Sequence, residues 1–422
     1  MRIVSDFHIH GRFSRATSKH LDIPSLEKWA RVKGLNLLGT GDFTHPEWLK
    51  EIKAHLTEDG SGILKTKGGF SFLLQTELSS IYTQDGKGRR VHNVILAPAL
   101  DVVEQINAEL LKRGRLDYDG RPIFGIPCPE LVEMLKGIDK GIEVIPAHAW
   151  TPWFSIFGSK SGFDSVEECF GDQARHIFAL ETGLSSDPPM NWRLSALDRY
   201  ALVSNSDCHS FWPWRIGREA NVFELDRLTY RGFIQAMKER DPKRFLYTIE
   251  VDPSYGKYHL DGHRACNVCL EPGEAAKQRS LCPVCGRPLT IGVLHRVEEL
   301  ADRPAGFKPP GAIPFKSLIP LSEIIAKAKG TDMPASQKVW GTYNKMIKAF
   351  GSELEVLLNA SREGIAEAAG QQVAGMVLLV RKGELRIKPG YDGVYGRPLF
   401  GEEEAGPGPA VAVNKQKNLA DF

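Results

Sequence analysis

Two imidazoles set two residues apart stand near the start of the chain, in Asp6-Phe-His-Ile-His10, at the end of an apolar, β-branched run. On a strand, residues i and i+2 face the same side, so His8 and His10 can grip one metal ion together. Asp207-Cys-His209 repeats that spacing, and Glu77, His92 and His148 supply a carboxylate and two more imidazoles from the sequence between. Carboxylate and imidazole sites a few ångströms apart, roughly 3.5 to 4 Å in two-metal hydrolases, generate hydroxide and stabilise both the attacking and the leaving oxygen. Phosphoester hydrolysis is the chemistry such a set favours. No Ser-His-Asp order, Gly-rich phosphate loop or dinucleotide fingerprint competes with it. A second, different metal signature follows: Cys266-x-x-Cys269 and Cys282-x-x-Cys285, twelve residues apart, with Gly after the last Cys. Four thiolates close a tetrahedral zinc site and leave no open position, so this zinc ribbon is expected to be structural.

The residues of the first set need strands that end side by side. Apolar runs at Arg2 to Phe7, Leu35 to Gly39, Phe70 to Thr76, Val91 to Ala97, Ile142 to Pro146, Ile177 to Leu180 and Ala201 to Ser204 supply them. Helix-like stretches at Ser25 to Lys33, Pro46 to Leu56 and Pro129 to Lys136 lie between, an alternation that predicts an α/β fold with a parallel sheet or barrel. Nearly every run ends in or near His8, His10, Asp42, Glu77, His148, Glu181, Asp207 or His209, and in a (β/α) barrel such strand ends share one face.

With 422 residues, two or three domains are expected. The rhythm changes near Val251 to Gly262, which places boundaries around residues 1–252 (barrel), 253–300 (ribbon), 301–400 (mainly helical) and 401–422 (tail). In the third part, Leu321 to Lys329, Gln337 to Phe350 and Leu354 to Ala369 have helical spacing, and Met376 to Val380 reads as a strand. Gly401 to Ala412 reads as a flexible linker. The 54 basic and 52 acidic residues, formal net charge +2, neither favour nor exclude nucleic acid, so any DNA-binding face must be local. Basic residues around the ribbon, Arg264, Lys277, Arg279, Arg287 and Arg296, could touch phosphates. An N-terminus without a basic and apolar leader, and no apolar run of the ~20 residues a membrane helix needs, give the expectation of a cytoplasmic protein without membrane association. Cys128, Cys169 and Cys208 are scattered, which suits a reducing compartment.

Over roughly residues 1 to 215 the His and carboxylate pattern resembles the PHP family of phosphoesterases, distorted barrels whose strand ends carry up to three metal ions. The resemblance implies that His8, His10, Glu77 and Asp207 hold one ion and form the catalytic set, with Glu77 bridging to a second ion on His92 and His148. It assigns His209 to a third ion with partners from Asp42-Phe-Thr-His45, where Phe43 replaces the usual His and either Asp42 or His45 substitutes. The acidic residue usual after the first His pair is absent, with Arg15 near its place and His20 a replacement at most. Barrel, ribbon and helical segment together, with Gly-Thr-Gly-Asp-Phe-Thr-His45 and Gly292-Val-Leu-His-Arg-Val-Glu-Glu-Leu300, resemble the endonuclease Q family. That resemblance implies cleavage of DNA 5′ to deaminated bases such as uracil, hypoxanthine and xanthine and to abasic sites, with two or three Zn²⁺, Mn²⁺ or Mg²⁺ ions in the barrel. A base read this way leaves the stack, and the aromatics Trp150, Trp153, Phe154 and Phe157 are candidates to hold it, with Phe211, Trp212 and Trp214 second. Gln416 to Phe422 resembles a sliding-clamp binding peptide. The rival reading is a PHP-type phosphatase acting on a small phosphomonoester, which needs no ribbon.

Overall fold

The computed structural model describes residues 1–400. The proposed linker from Gly401 and the clamp-like peptide Gln416 to Phe422 lie outside the described residues. Strand Arg2–Asp6 is the hub: it pairs in parallel with Leu37–Gly39 and antiparallel with Ala220–Glu224, inside an eight-stranded mixed sheet. A four-stranded sheet of Ile123–Phe124, Gln75–Gln84, Lys87–Leu96 and Glu143–Pro146, and the parallel pair Ala179–Glu181 with Ala201–Val203, carry the remaining strand ends. The α/β expectation holds, but the sheets are far less parallel than the alternation of runs predicts. Ala220–Glu224 runs antiparallel to both Arg2–Asp6 and Phe245–Glu250, and one further pair is local. Gln75–Gln84 and Lys87–Leu96 form one long hairpin closed by Asp85-Gly86, both at positive φ (51° and 73°), the two-residue turn whose twist matches paired strands.

The helices that space the strands obey ordinary end signals. Helix Ile23–Lys33 begins where Asp22 accepts from Ser25 N–H, carries Pro24 in its first turn, and stops at Gly34 with φ 104°. Its buried Ile23, Leu26 and Ala30 pack against the sheet.

Two expectations for the C-terminal part fail. Met376 to Val380 is not a strand but the end of helix Gln371–Arg381, because Val373, Ala374, Val377 and Val380 recur at helical spacing and are buried together. Local β-branched composition lost to that periodic burial. The single helix expected over Leu354 to Ala369 is two, Glu353–Leu358 and Arg362–Ala369, since Ser361 caps a new start by accepting from Gly364 N–H. The helical part is also tied to the N-terminal half. Phe315–Ser317 adds an edge strand beside Phe245–Glu250. Lys33 donates to Glu353 at 2.7 Å with both side chains buried, beside a cluster of Trp29, Trp212, Trp214 and Trp340 whose rings are 5.2 to 5.8 Å apart.

Candidate active site

His8 and His10 sit just beyond strand Arg2–Asp6, fully buried, and each ring is aimed by a carboxylate at its Nδ1. Glu181 lies 2.9 Å from His8 Nδ1, and Asp42 lies 2.9 Å from His10 Nδ1. Both Nε2 atoms therefore face the same interior point, the usual way a protein orients metal-binding imidazoles. Glu77 comes from the start of the long hairpin and presents one oxygen to each side. Its Oε2 is 3.1 Å from His10 Nε2 and 3.6 Å from His8 Nε2, while Oε1 is 2.8 Å from His92 Nδ1 and 3.3 Å from His148 Nε2. Asp207 Oδ1 completes the first side at 3.1 Å from His10 Nε2 and 3.7 Å from His8 Nε2. The result is two groups of possible metal ligands, His8–His10–Glu77–Asp207 and Glu77–His92–His148, sharing Glu77.

The donor atoms fit divalent ions. His8 Nε2 and Glu77 Oε1 are buried without a hydrogen-bond partner, although Glu77 Oε1 has His92 Nδ1 only 2.8 Å away. Although His10 Nε2 reaches Asp207 and His92 Nδ1 reaches His148 within hydrogen-bond geometry, these two orphaned atoms at the centre need an explanation, and ligation supplies one. The electrostatics agree. Burial alone would push His8 and His10 down, but Glu181, Glu77 and Asp207 around the first ring, and Asp42, Asp207 and Glu77 around the second, hold both well above the ordinary imidazole range. Burial opposes charge on Glu77 and Asp207 too, yet neighbouring His and Arg121 hold Glu77 well below its ordinary range, and His8 and His10 do the same for Asp207. His92, on the cavity side, is pushed to about 4 mainly by burial, which leaves it neutral and able to donate a lone pair. Left-handed backbone at Asp42 (φ 40°), His148 (φ 31°) and Asp207 (φ 45°) is uncommon outside glycine and marks these strand ends as sites where geometry is enforced.

The residues expected for a third ion do not converge with a third ligand atom among the described residues. Asp42 is occupied behind His10, taking N–H of Gly11 at 2.6 Å and the Ser14 hydroxyl at 2.8 Å. His45 stacks on Phe13 with centroids 4.3 Å apart, and His209 stacks on His10 at 4.4 Å with its Nε2 3.6 Å from Asp207. Arg15 pairs with Asp119, and His20 is exposed.

A cavity of about 540 Å³ opens beside this cluster. Its walls include His92, His148, Asp207 and His209, the aromatics Trp153, Phe154, Trp214, Tyr255, Tyr258 and Tyr395, and the cations Arg215, Arg218 and Lys257. Trp153 and Phe154 are thus at the cavity, Phe154 4.7 Å from the His92 ring. Trp150 and Phe157 are not: both are fully buried, tilted against each other with centroids 4.7 Å apart, with Trp150 Nε1 bonded to Asn191, and they have no face left for a base. Phe211 and Trp212 pack in the Trp29 cluster. Sequence reasoning named Glu181 only as a strand end and missed Arg121, whose Nη1 lies 3.0 Å from Glu77 Oε2. No spacing rule could have found Arg121, which comes from an irregular loop.

In the ribbon, the ligand atoms that come together are those of His263, Cys266, Cys282 and Cys285. Cys269 lies outside the group, on strand Val268–Leu270 opposite Gly262 and buried. The backbone explains the choice: each knuckle turns through a left-handed residue after its second ligand, Asn267 (φ 53°) after Cys266 and Gly286 (φ 70°) after Cys285. The first knuckle therefore runs His263-x-x-Cys266, a spacing visible in the sequence once His is admitted beside Cys. Thiolates and one imidazole suit zinc. Arg296 is spent as a clamp, donating to Phe157 O, Phe163 O and Asp164, whereas Arg264, Lys277, Arg279 and Arg287 are exposed.

Residues 320–384 match the model of the MJ0043 C-terminal domain. The uncharacterized protein YqxK of Bacillus subtilis is 30% identical over 414 residues, covering 94% of this chain and 99% of that one. The uncharacterized protein MJ0043 of Methanocaldococcus jannaschii is 35% identical over 260 residues, and the match spans 60% of this chain but only 31% of that protein. The crystal structure of the lesion-specific endonuclease PfuEndoQ from Pyrococcus furiosus superposes with a TM-score of 0.85 at 34% identity, covering 96% of both chains. Endonuclease Q in complex with a 27-mer duplex bearing an abasic lesion at the active site gives the same TM-score and identity, covering 96% of this chain and 98% of that one. Among the described residues no helix is long and apolar enough to cross a membrane.

Proposed function

The chain belongs to the endonuclease Q family, and from that premise we propose that it incises duplex DNA on the 5′ side of deaminated bases, uracil, hypoxanthine and xanthine, and of abasic sites. It is a metal-dependent DNA endonuclease. The observation that carries the finer reading is the pair of ligand groups sharing Glu77 at the mouth of an aromatic, cation-lined cavity. His8, His10, Glu77, Asp207, His92 and His148 would hold divalent ions, which when bound would supply Lewis acidity toward a phosphoryl oxygen and lower the pKa of water. The protein's own part is orientation and exclusion. Glu181 and Asp42 fix the tautomers of His8 and His10, and His8, His10 and Glu77 are fully buried behind the cavity.

Unstacking a base costs a few kcal/mol, least for one already damaged, and the cavity offers rings to recover that cost. Trp153, Phe154, Tyr258 and Tyr395 line it, Trp153 edge-to-face on Tyr258 with centroids 5.3 Å apart, and aromatic rings of this kind stack on a base. Arg215, Arg218 and Lys257 offset the charge of flanking phosphates. The proposal extends to zinc at His263, Cys266, Cys282 and Cys285 and to a sliding clamp as partner of Gln416 to Phe422.

The test is cleavage of labelled duplexes carrying one deoxyuridine, one deoxyinosine, one abasic site or no lesion, with Mg²⁺, Mn²⁺ or Zn²⁺, each cut mapped to the nucleotide. Incision just 5′ of the lesion, absent on intact DNA and abolished by Asp207→Ala, is expected. No incision with any metal, in a protein that hydrolyses small phosphomonoesters, overturns the reading in favour of a phosphatase.

A further inference from the structure

Arg121 is a cation placed against a site built to take cations. Its loop is pinned by Gly120, where an added Cβ would lie 2.3 Å from both Asp42 Oδ2 and Ser14 Oγ, and by Asp119, which accepts from Arg121 N–H at 3.2 Å. The side chain is three-quarters buried (26% exposed) and places Nη1 3.0 Å from Glu77 Oε2, the oxygen that faces His8 and His10. Among the described residues no other side chain accepts a hydrogen bond from the guanidinium. Once ions occupy the two groups that share Glu77, the guanidinium stands beside like charge with its one acceptor engaged elsewhere. Arg cannot lose its proton to escape, and with Asp207 engaged beside the same ions and Asp119 pinning the loop, an arriving anion is the acceptor that replaces Glu77.

We propose that Arg121 is a phosphate-binding catalytic residue: its guanidinium leaves Glu77 when the site is loaded and holds a non-bridging oxygen of the scissile phosphate. The planar fork of donors suits a phosphoryl group better than a point charge does. Arg121 does not line the aromatic cavity, so the phosphate is held between the cavity that takes the nucleotide and the loop that carries Arg121. The assignment rests on the phosphodiester-cleaving reading for its substrate, but its anion chemistry can be measured without DNA.

The experiment compares wild type, Arg121→Lys and Arg121→Met in three titrations: Mn²⁺ into metal-free protein, inorganic phosphate into Mn²⁺-loaded protein, and cleavage of a lesion duplex with kcat and KM separated. Arg121→Met is expected to bind Mn²⁺ as well as wild type or better, since Glu77 loses a competing cation. It should bind phosphate at least about tenfold more weakly and lose about 100-fold or more in kcat, the usual range for removing one donor to a developing oxyanion. Arg121→Lys should recover part of the phosphate affinity and less of kcat. Mn²⁺ affinity falling in step with phosphate affinity would show that Arg121 merely holds Glu77 in place, and unchanged phosphate affinity would show that it holds nothing; either overturns the proposal. A wild type that binds phosphate through Arg121 yet cuts no lesion duplex overturns the endonuclease reading alone.

Discussion

Lys33 and Glu353 are the buried charges that join the helical C-terminal part to the α/β half, and their removal should be costly only one at a time. Glu353 accepts from Lys33 Nζ at 2.7 Å, from Leu321 N–H at 3.1 Å and from the Tyr343 hydroxyl at 2.7 Å, while Lys33 also donates to Pro213 O at 2.9 Å. Lys33→Met keeps the aliphatic stem and removes the charge, so what changes is the fate of Glu353. It keeps two neutral donors and loses its counter-charge in a site with no solvent contact. Stranding one member of a buried pair costs about 3–5 kcal/mol, whereas replacing both by uncharged groups is often nearly neutral. Lys33→Met and Glu353→Gln should therefore each destabilise by about 3 kcal/mol or more, and the double variant should fall within about 1–2 kcal/mol of wild type, a coupling well above the ~0.5 kcal/mol scatter of independent sites. Urea unfolding followed by tryptophan fluorescence is sensitive to this junction, because Trp29, Trp212, Trp214 and Trp340, half of the eight tryptophans, sit on it. A cycle whose single costs simply add, or a Lys33→Met cost under about 1 kcal/mol, would refute the claim that charge compensation holds this contact.

The ribbon's ligand set separates by zinc content: His263→Ala and Cys285→Ser should lose the bound ion and Cys269→Ala should keep it, as measured on purified full-length protein, and loss of zinc in Cys269→Ala with its retention in His263→Ala would restore the four-Cys set. Trp153→Ala should weaken binding of a deoxyuridine duplex about tenfold or more, from the ~1–3 kcal/mol of one lost stacking contact, and affect an abasic duplex less because it has no base to stack. Equal losses in fluorescence-anisotropy titrations would remove Trp153 from base contact. Burial raises Glu250 from its ordinary 4.5 to about 7, with Asp187 also raising it and Thr248, Thr182 and Ser204 partly opposing. The folded protein then holds a proton that the unfolded chain has released, so this carboxyl's contribution falls as pH climbs from about 4.5 to about 7, by up to about 1.4 kcal/mol per pH unit. Glu250→Gln should flatten that part of the urea-midpoint profile of metal-free protein between pH 5 and pH 8, and an unchanged slope would discount the carboxyl as its source.

Much of the site was legible because strand periodicity is short-ranged. His8 with His10 needed only the knowledge that i and i+2 share a face, and Asp207 only its place at another strand end. The carboxylates behind the rings were harder: Glu181 and Asp42 look the same in sequence whether they touch a metal or orient an imidazole, and only their distance to Nδ1 tells them apart. Trp150 and Trp153 stand three residues apart on one irregular loop, so no period says which faces the cavity and which the core. The helix over Met376 to Val380 was misread for the opposite reason, a five-residue window too short to reveal the burial that continues from Val373. The strands Ala220–Glu224 and Phe245–Glu250 went unnoticed because they bear none of the chemistry that drew attention to the others.

The central place of strand Arg2–Asp6 has a consequence for how the protein comes into being. His10 meets Asp207 across 197 residues of chain, and the strand that leads into both imidazoles finds its antiparallel neighbour only when Ala220–Glu224 exists. At synthesis rates of about 5–20 residues per second, that is roughly 10 to 40 s during which the first imidazoles have emerged and their last carboxylate has not. A ribosome-bound fragment thus presents ligands without a complete centre, and a truncated product that ends before Asp207 keeps the Glu77–His92–His148 group but lacks a ligand of the other. The order in which the chain is made leaves the centre open on one side until Asp207 is in place.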